Sequence, residues 1–194
     1  MMKLCFATNN QYKIKEVLAL LGPSYSVASL SDIGCVEELA EEQTTIAGNS
    51  FQKANYVFQK YSVSCFADDS GLEVDALFGA PGVDSAHYAG PQRNFEDNMN
   101  LLLKNLLGQQ NRQAQFRTVI TLVTPSTTQQ FEGILRGQIL HEKRGMQGFG
   151  YDPLFLPDGY TRTLAEMSLE EKNSISHRSK AVAQLVAFLK THAG

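Results

Sequence analysis

The sequence predicts an α/β protein: a mixed β-sheet flanked by helices, in one compact chain whose two lobes surround a cleft. Three observations carry this. Strand and helix patterns alternate early in the 194-residue chain. Two long strand patterns, 116–124 and 129–142, follow one another and suit antiparallel pairing. An amphipathic helix closes the chain. No repeat, low-complexity segment or linker interrupts it, so residues 1–194 read as a single domain.

The elements follow in order. "KLCFAT" (3–8) reads as a buried strand. Ile14, Val17, Leu18 and Leu21 fall at i, i+3, i+4 and i+7 and mark a helix. Asn9 or Asn10 is its N-cap, and Gly22-Pro23 its stop. A second helix covers 45–61, with Ala47, Phe51, Ala54, Phe58 and Tyr61 on one face. "VSCFA" (63–67) is the next strand, and it ends abruptly at Asp68 and Asp69. In "FGAPG" (78–82), Gly79, Pro81 and Gly82 exclude regular structure. Asn94 starts a helix that carries Met99, Leu102, Leu103 and Leu106 in register and stops at Gly108. "RGMQGFGYDP" (144–153) is a glycine-rich loop. The last helix runs from Ser176 to Lys190, with Val182, Leu185, Val186 and Leu189 on its core face.

Composition narrows the function. The chain is 43% hydrophobic and 19% charged, ordinary for a soluble globular protein. A net charge of -3 offers no general basic surface to nucleic acid. No apolar run is long enough for a signal segment or a membrane span. Cys5, Cys35 and Cys65 contain no CxxC and read as reduced, buried thiols of a cytoplasmic protein. The histidines at 87, 141, 177 and 192 are too dispersed to suggest zinc.

Four segments can carry chemistry. In "TNNQYK" (8–13) a strand turns into a helix, and the helix N-terminus is a ready anion site. Lys13 in that first turn opposes the dipole unless an anion lies between them. The plainer reading is a simple N-cap beside a solvated lysine. In "ADDSG" (67–71) a carboxylate pair at a strand end suits Mg²⁺, and Ser70 can donate to a phosphate. An Asx-turn with Gly71 at positive φ is the competing reading. In "SLEEKNSISHRSKA" (168–181) Ser176 is a good N-cap, and Lys172, His177 and Arg178 place three donors around one helix start. A surface cluster partly neutralised by Glu170 and Glu171 explains them equally well. In "GFGYDP" (148–153) a glycine-flanked Phe149 or Tyr151 can stack on a base, and Asp152 can accept from its edge. A core phenylalanine before an Asp-Pro turn is the alternative. The acidic stretch 37–44 reads mostly as solvated surface. One of Glu37, Glu38, Glu41 and Glu42 could reach a metal, and periodicity does not say which. No nucleophilic triad fits. Together the four segments describe a nucleotide, with triphosphate at one end and base at the other.

"TNNQYK", "ADDSGLEVDALFGAPG", "GFGYDP" and "EKNSISHR" occur in the order and spacing of the inosine triphosphate pyrophosphatase family, which the chain resembles from residue 3 to about 190. The resemblance implies hydrolysis of ITP, dITP and XTP to the monophosphate and pyrophosphate, with Mg²⁺ as cofactor. It also implies an elongated sheet with a central nucleotide cleft, and a homodimer. By motif position it implies that Thr8, Asn10 and Lys13, with Asn9, Gln11 and Tyr12, hold the triphosphate. Asp69 would be metal ligand and general base, with Asp68 beside it and Ser70 on the substrate. Phe149 would stack on the purine and Asp152 meet its edge, in the loop shared with Gly150 and Tyr151. Lys172, His177 and Arg178 would contact the base, including its 6-oxo group. A glutamate twelve residues before Lys53 matches the family's metal-binding acid and points to Glu41. Two positions depart from the pattern. Gly48 stands where similar bacterial chains have Glu, and His87 where they have Arg. A non-catalytic purine nucleotide sensor and a Maf-like pyrophosphatase for modified pyrimidine triphosphates are the competing readings. "GFGYDP" with "SHR" argues against the second.

Overall fold

The computed structural model describes residues 3–21 and 25–192. Strands β1 (Lys3–Phe6), β2 (Ser26–Ala28), β3 (Cys65–Val74), β4 (Gln113–Val123), β5 (Thr128–Ile139) and β6 (Phe155–Pro157) form one sheet in the order β2-β1-β3-β4-β5-β6. The helices are α1 (Gln11–Leu21), α2 (Ile46–Tyr61), α3 (Phe95–Asn105), α4 (Leu169–Ile175) and α5 (His177–His192). β1 pairs parallel with β2 and with β3, whereas β6 pairs antiparallel with β5. The link between β4 and β5 is closed by Thr124 N–H donating to Thr127 O at 2.9 Å. So short a link cannot make the crossover that a parallel pair needs, so these neighbours form an antiparallel hairpin. The sheet is therefore mixed.

The chain divides into two compact units. Unit 1 comprises Met1–Asp69, Thr118–Gly133 and Arg178–Gly194; unit 2 comprises Ser70–Arg117 and Ile134–His177. In unit 1, strand alternation sends successive side chains to opposite faces. Leu4, Phe6 and Phe66 join Val17 and Leu21 of α1 and Ala181, Val182, Leu185 and Leu189 of α5 in one cluster. Cys5, Ala7, Cys65 and Ala67 join Ala54 and Val57 of α2 in another. A strand covered by helices on both faces has no polar side to show, so its sequence is an unbroken apolar run. Unit 2 packs Leu72 and Val74 of β3 with Met99 and Leu102 of α3, Phe116 of β4 and Phe155 of β6.

Several boundaries differ from the sequence reading, each for a physical reason. β3 does not stop at Ala67; it continues through Asp68, Asp69, Ser70 and Gly71 to Val74, so the aspartates lie inside a 10-residue strand and not in an Asx-turn. On α1, Leu18 is 48% exposed while Glu16 is only 3% exposed. The buried stripe is rotated because an acid on it has a buried partner. On α2, Phe51 is exposed, and the buried positions are Ile46, Asn49, Ser50, Lys53, Ala54 and Val57. Gly82 opens a 3-10 turn, Gly82–His87, in a stretch read as irregular. The β2 and β6 strands, three residues each, carry too little pattern to be seen in sequence. The Gly22-Pro23 stop lies outside the described residues.

Candidate active site

Unit 1 gathers the "TNNQYK" turn, the two aspartates and part of α2. Asn10 is the N-cap of α1: its Oδ1 accepts from the backbone N–H of Tyr12 at 3.0 Å and of Lys13 at 3.2 Å. Thr8 Oγ1 in turn accepts from the Asn10 N–H at 3.2 Å. Asn9, Gln11 and Tyr12 surround this helix start, with Gln11 and Tyr12 exposed.

Because β3 alternates, Asp68 and Asp69 point to opposite faces. Asp68, fully buried, faces α1 and α5. Its Oδ1 lies 3.1 Å from Lys13 Nζ, and its Oδ2 accepts from Arg178 Nε at 3.1 Å. A second guanidinium nitrogen of Arg178 donates to Glu16, which is also buried. Burial alone raises the Asp68 carboxyl. The Lys13, Arg178 and Lys53 charges outweigh burial and hold it well below the usual carboxylate range. Asp68 is thus a fixed anion.

Asp69 faces α2. Its Oδ1 is 3.8 Å from Lys53 Nζ, and Lys53 also binds Glu41. Among the described residues nothing hydrogen-bonds Asp69 Oδ2, although that atom is buried. Burial raises the Asp69 carboxyl above its ordinary value; Lys53 and Lys13 oppose this, while Glu41 and Asp68 add to it. A buried acceptor left without a donor is unfavourable and suits a site completed by something else. Asp69 and Glu41 together offer carboxylate oxygens to a hard divalent cation of the kind that also takes oxygens from a phosphate. Neighbouring β3 backbone is held by Ser50 of α2, whose hydroxyl lies 2.9 Å from Ala67 O. Ser70 follows Asp69 and is half-buried.

Unit 2 holds the "GFGYDP" loop. Asp152 Oδ2 accepts from the Phe149 N–H at 2.9 Å and from Lys172 Nζ at 2.5 Å. The same ammonium sits 4.8 Å from the centroid of the Phe149 ring, and the Phe95 ring lies 6.2 Å from it at 45°. Phe149 is half-buried. Gly148 is required here: its φ is +75°, and a Cβ would lie 2.1 Å from Asp152 Oδ2. Gly150 also has positive φ, at 63°. Tyr151 is 4% exposed and donates its hydroxyl to Ser85 O at 2.9 Å, so it anchors the loop. His177 is buried and stacks on Phe116, with centroids 4.8 Å apart and planes at 13°.

The sequence-read residues therefore fall into two groups. Thr8, Asn10, Lys13, Glu41, Asp68 and Asp69 belong to unit 1; Ser70, Phe149, Gly150, Tyr151, Asp152, Lys172 and His177 belong to unit 2. Arg178, expected at the base, is placed in unit 1 with its guanidinium on Asp68 and Glu16. Lys172 sits on its own helix, α4, which Ser168 and Glu171 begin with a reciprocal capping box. Sequence reasoning missed Glu16, Ser50 and Phe95 and used Lys53 only as a landmark. Glu16 carries one legible signal: it lies three residues after Lys13, on the same helix face.

Residues 4–188 match the Ham1 family. A dITP/XTP pyrophosphatase of Flavobacterium johnsoniae is 54% identical, covering 97% of this chain and 98% of its own length. One of Porphyromonas gingivalis is 48% identical, with coverage of 97% and 98%. Among solved structures, the Staphylococcus aureus Ham1 protein superposes with a TM-score of 0.90 at 38% identity, covering 97% of this chain and 98% of that one. A HAM1 protein from Coxiella burnetii gives a TM-score of 0.90 at 33% identity, covering 98% and 100%. The chain belongs to the Ham1 family.

Proposed function

We infer that the chain is a nucleoside-triphosphate pyrophosphatase: it hydrolyses noncanonical purine nucleoside triphosphates (dITP, XTP and ITP) to the monophosphate and pyrophosphate. Relatives named dITP/XTP pyrophosphatase match nearly its full length. The observation that carries the mechanism is the division of labour between adjacent aspartates, one clamped by cations and one left with a buried, unbonded oxygen.

Asp69 and Glu41 would hold Mg²⁺, which when bound neutralises charge on the triphosphate oxygens. Lys13 and the N-terminus of α1 bind the phosphates, where backbone N–H groups and the helix dipole favour an anion. Asp69 takes the proton of the attacking water; the new bond forms between water oxygen and the α-phosphorus, and the α–β bridging bond breaks to release pyrophosphate. Asp68 keeps Lys13 positioned for that leaving group. Ser70 donates to the substrate. In the base loop, Phe149 stacks on the purine, Asp152 meets its edge, and Lys172 supplies a donor that suits a 6-oxo group and repels a 6-amino group. His177 stacks on Phe116 of β4, and Tyr151 sets the position of the base loop. The family resemblance adds a homodimer, and the composition a cytoplasmic setting; among the described residues no helix is long and apolar enough to cross a membrane.

The test is pyrophosphate release from dITP, XTP, ITP, GTP and ATP with Mg²⁺. Turnover of dITP and XTP well above ATP is expected. Equal rates on ATP would remove the role given to Lys172, and no pyrophosphate from any of them would leave only a binding protein.

A further inference from the structure

The segment that carries Glu41 has neither helix nor strand of its own, yet it is tied to α2 on both sides of that residue. On the N-terminal side one carboxylate oxygen of Glu37 accepts from Tyr61 Oη at 2.7 Å, Tyr56 Oη at 2.8 Å and Lys60 Nζ at 2.8 Å. Leu39 packs against the cluster that contains Ala54 and Val57. On the C-terminal side the Glu42 N–H donates to Gln52 Oε1 at 3.1 Å, and the Gln43 N–H donates to the buried Asn49 Oδ1 at 2.8 Å. Gly48 shows how close the segment lies: a Cβ there would come within 2.8 Å of Gln43 Cβ and 2.9 Å of Thr45 Oγ1. Gly48 thus has a local meaning, since the absent side chain lets the segment rest on the helix.

We propose that residues 37–43 form a strap pre-ordered on α2, in which Glu37 and Gln52 are positioning residues that hold Glu41 for a divalent cation. The proposal rests on the reading of Glu41 and Asp69 as cation ligands. Lys53 binds Glu41. When Glu41 turns from that ammonium to a cation, its backbone stays in place through Glu37, Leu39, Glu42 and Gln43. Affinity is then not spent on ordering a loop. The ties lie on α2 away from the reacting atoms, so they set cation affinity and leave turnover at saturating cation unchanged.

The experiment titrates Mn²⁺ into the full chain and follows the free-ion EPR signal, in parallel with the Mg²⁺ dependence of dITP turnover. The variants are Glu37→Ala, Glu37→Gln, Gln52→Ala and Glu41→Gln. Glu37→Ala is expected to weaken Mn²⁺ binding roughly tenfold, the equivalent of ordering about one residue. It should raise the half-saturating Mg²⁺ concentration alike, with kcat at saturation retained. Glu37→Gln, which still accepts from the two tyrosines, should lose less, and Gln52→Ala should fall between it and the wild type. Wild-type affinity in Glu37→Ala, together with lost affinity in Glu41→Gln, overturns the strap alone. Wild-type affinity in Glu41→Gln overturns the cation-ligand reading beneath it.

Discussion

At the scale of single residues, the environments of Asp68 and Asp69 predict opposite consequences for the same substitution. Asp68→Asn removes the one carboxylate that Lys13 and Arg178 share, and leaves their charges buried and undercompensated. Breaking a buried ion pair from one side costs about 3–5 kcal/mol, so urea unfolding of Asp68→Asn should shift by that order. Asp69→Asn removes a carboxylate whose ionisation burial already opposes. Its stability should be unchanged or higher, while pyrophosphate release falls by roughly 10²–10⁴, the usual worth of a proton-transfer group. If Asp69→Asn is the unstable variant and Asp68→Asn the stable one, the division of roles along β3 is wrong. The residue types were legible in the sequence and the family resemblance gave them different roles; their placement on opposite faces of β3 was not legible. It depends on the strand continuing past Ala67, and four polar or small residues hide that continuation from a reading based on apolar runs. Glu16, and the pairing of Arg178 with it, were hidden for a related reason: a buried ion pair looks, in one dimension, like two solvated charges.

Among the elements, those with strong local signals emerged as expected and those shaped by the site did not. Asn10 and Asn94 cap α1 and α3, and the apolar stripe of α5 is buried at Val182, Leu185 and Leu189. On α2 the face was misread because Asn49, Ser50 and Lys53 are buried for the strap, for β3 and for the carboxylates, so the stripe is partly polar. The base loop makes an element-scale prediction. Gly148→Ala forces a methyl group towards Asp152 Oδ2 and strains a backbone at positive φ. It should raise KM for dITP more than it lowers kcat, because it moves Asp152 and Phe149 and leaves unit 1 alone. A drop confined to kcat would argue that the loop does not bind the base. Helix α4 adds a pH effect. The hydrogen bond from Arg162, then that from the Ser168 backbone, depress Glu171 from 4.5 to about 2. A depressed carboxyl contributes stability above its unfolded pKa and loses it as pH falls through the folded one. Amide protection factors in α4, which divide out the intrinsic pH dependence of exchange, should therefore fall between pH 4.5 and about 2, and Glu171→Gln should flatten that dependence.

For the molecule as a whole, the mixed α/β class and the nucleotide reading were legible because four short segments, each ambiguous alone, named parts of one ligand. The sequence suggested two lobes, but where the chain divides was not legible, because nothing in composition marks it. The boundary between the units falls at Asp69–Ser70 inside β3, at Arg117–Thr118 inside β4, at Gly133–Ile134 inside β5 and at His177–Arg178 at the start of α5. No linker exists to be seen. Neither unit is one continuous segment, and three strands each contribute residues to both cores, as Phe66 and Leu72 of β3 do. A strand cannot lose its hydrogen-bonded neighbours over half its length and keep a regular ladder over the other half at no cost. The two cores should therefore melt together despite being separate clusters. Calorimetry of the ligand-free chain should show a single transition whose calorimetric and van't Hoff enthalpies agree. Limited proteolysis should yield no stable fragment ending near residue 69 or 117. Two resolved transitions, or a folded fragment cut at either position, would mean that the units are energetically independent and that the shared strands do not couple them.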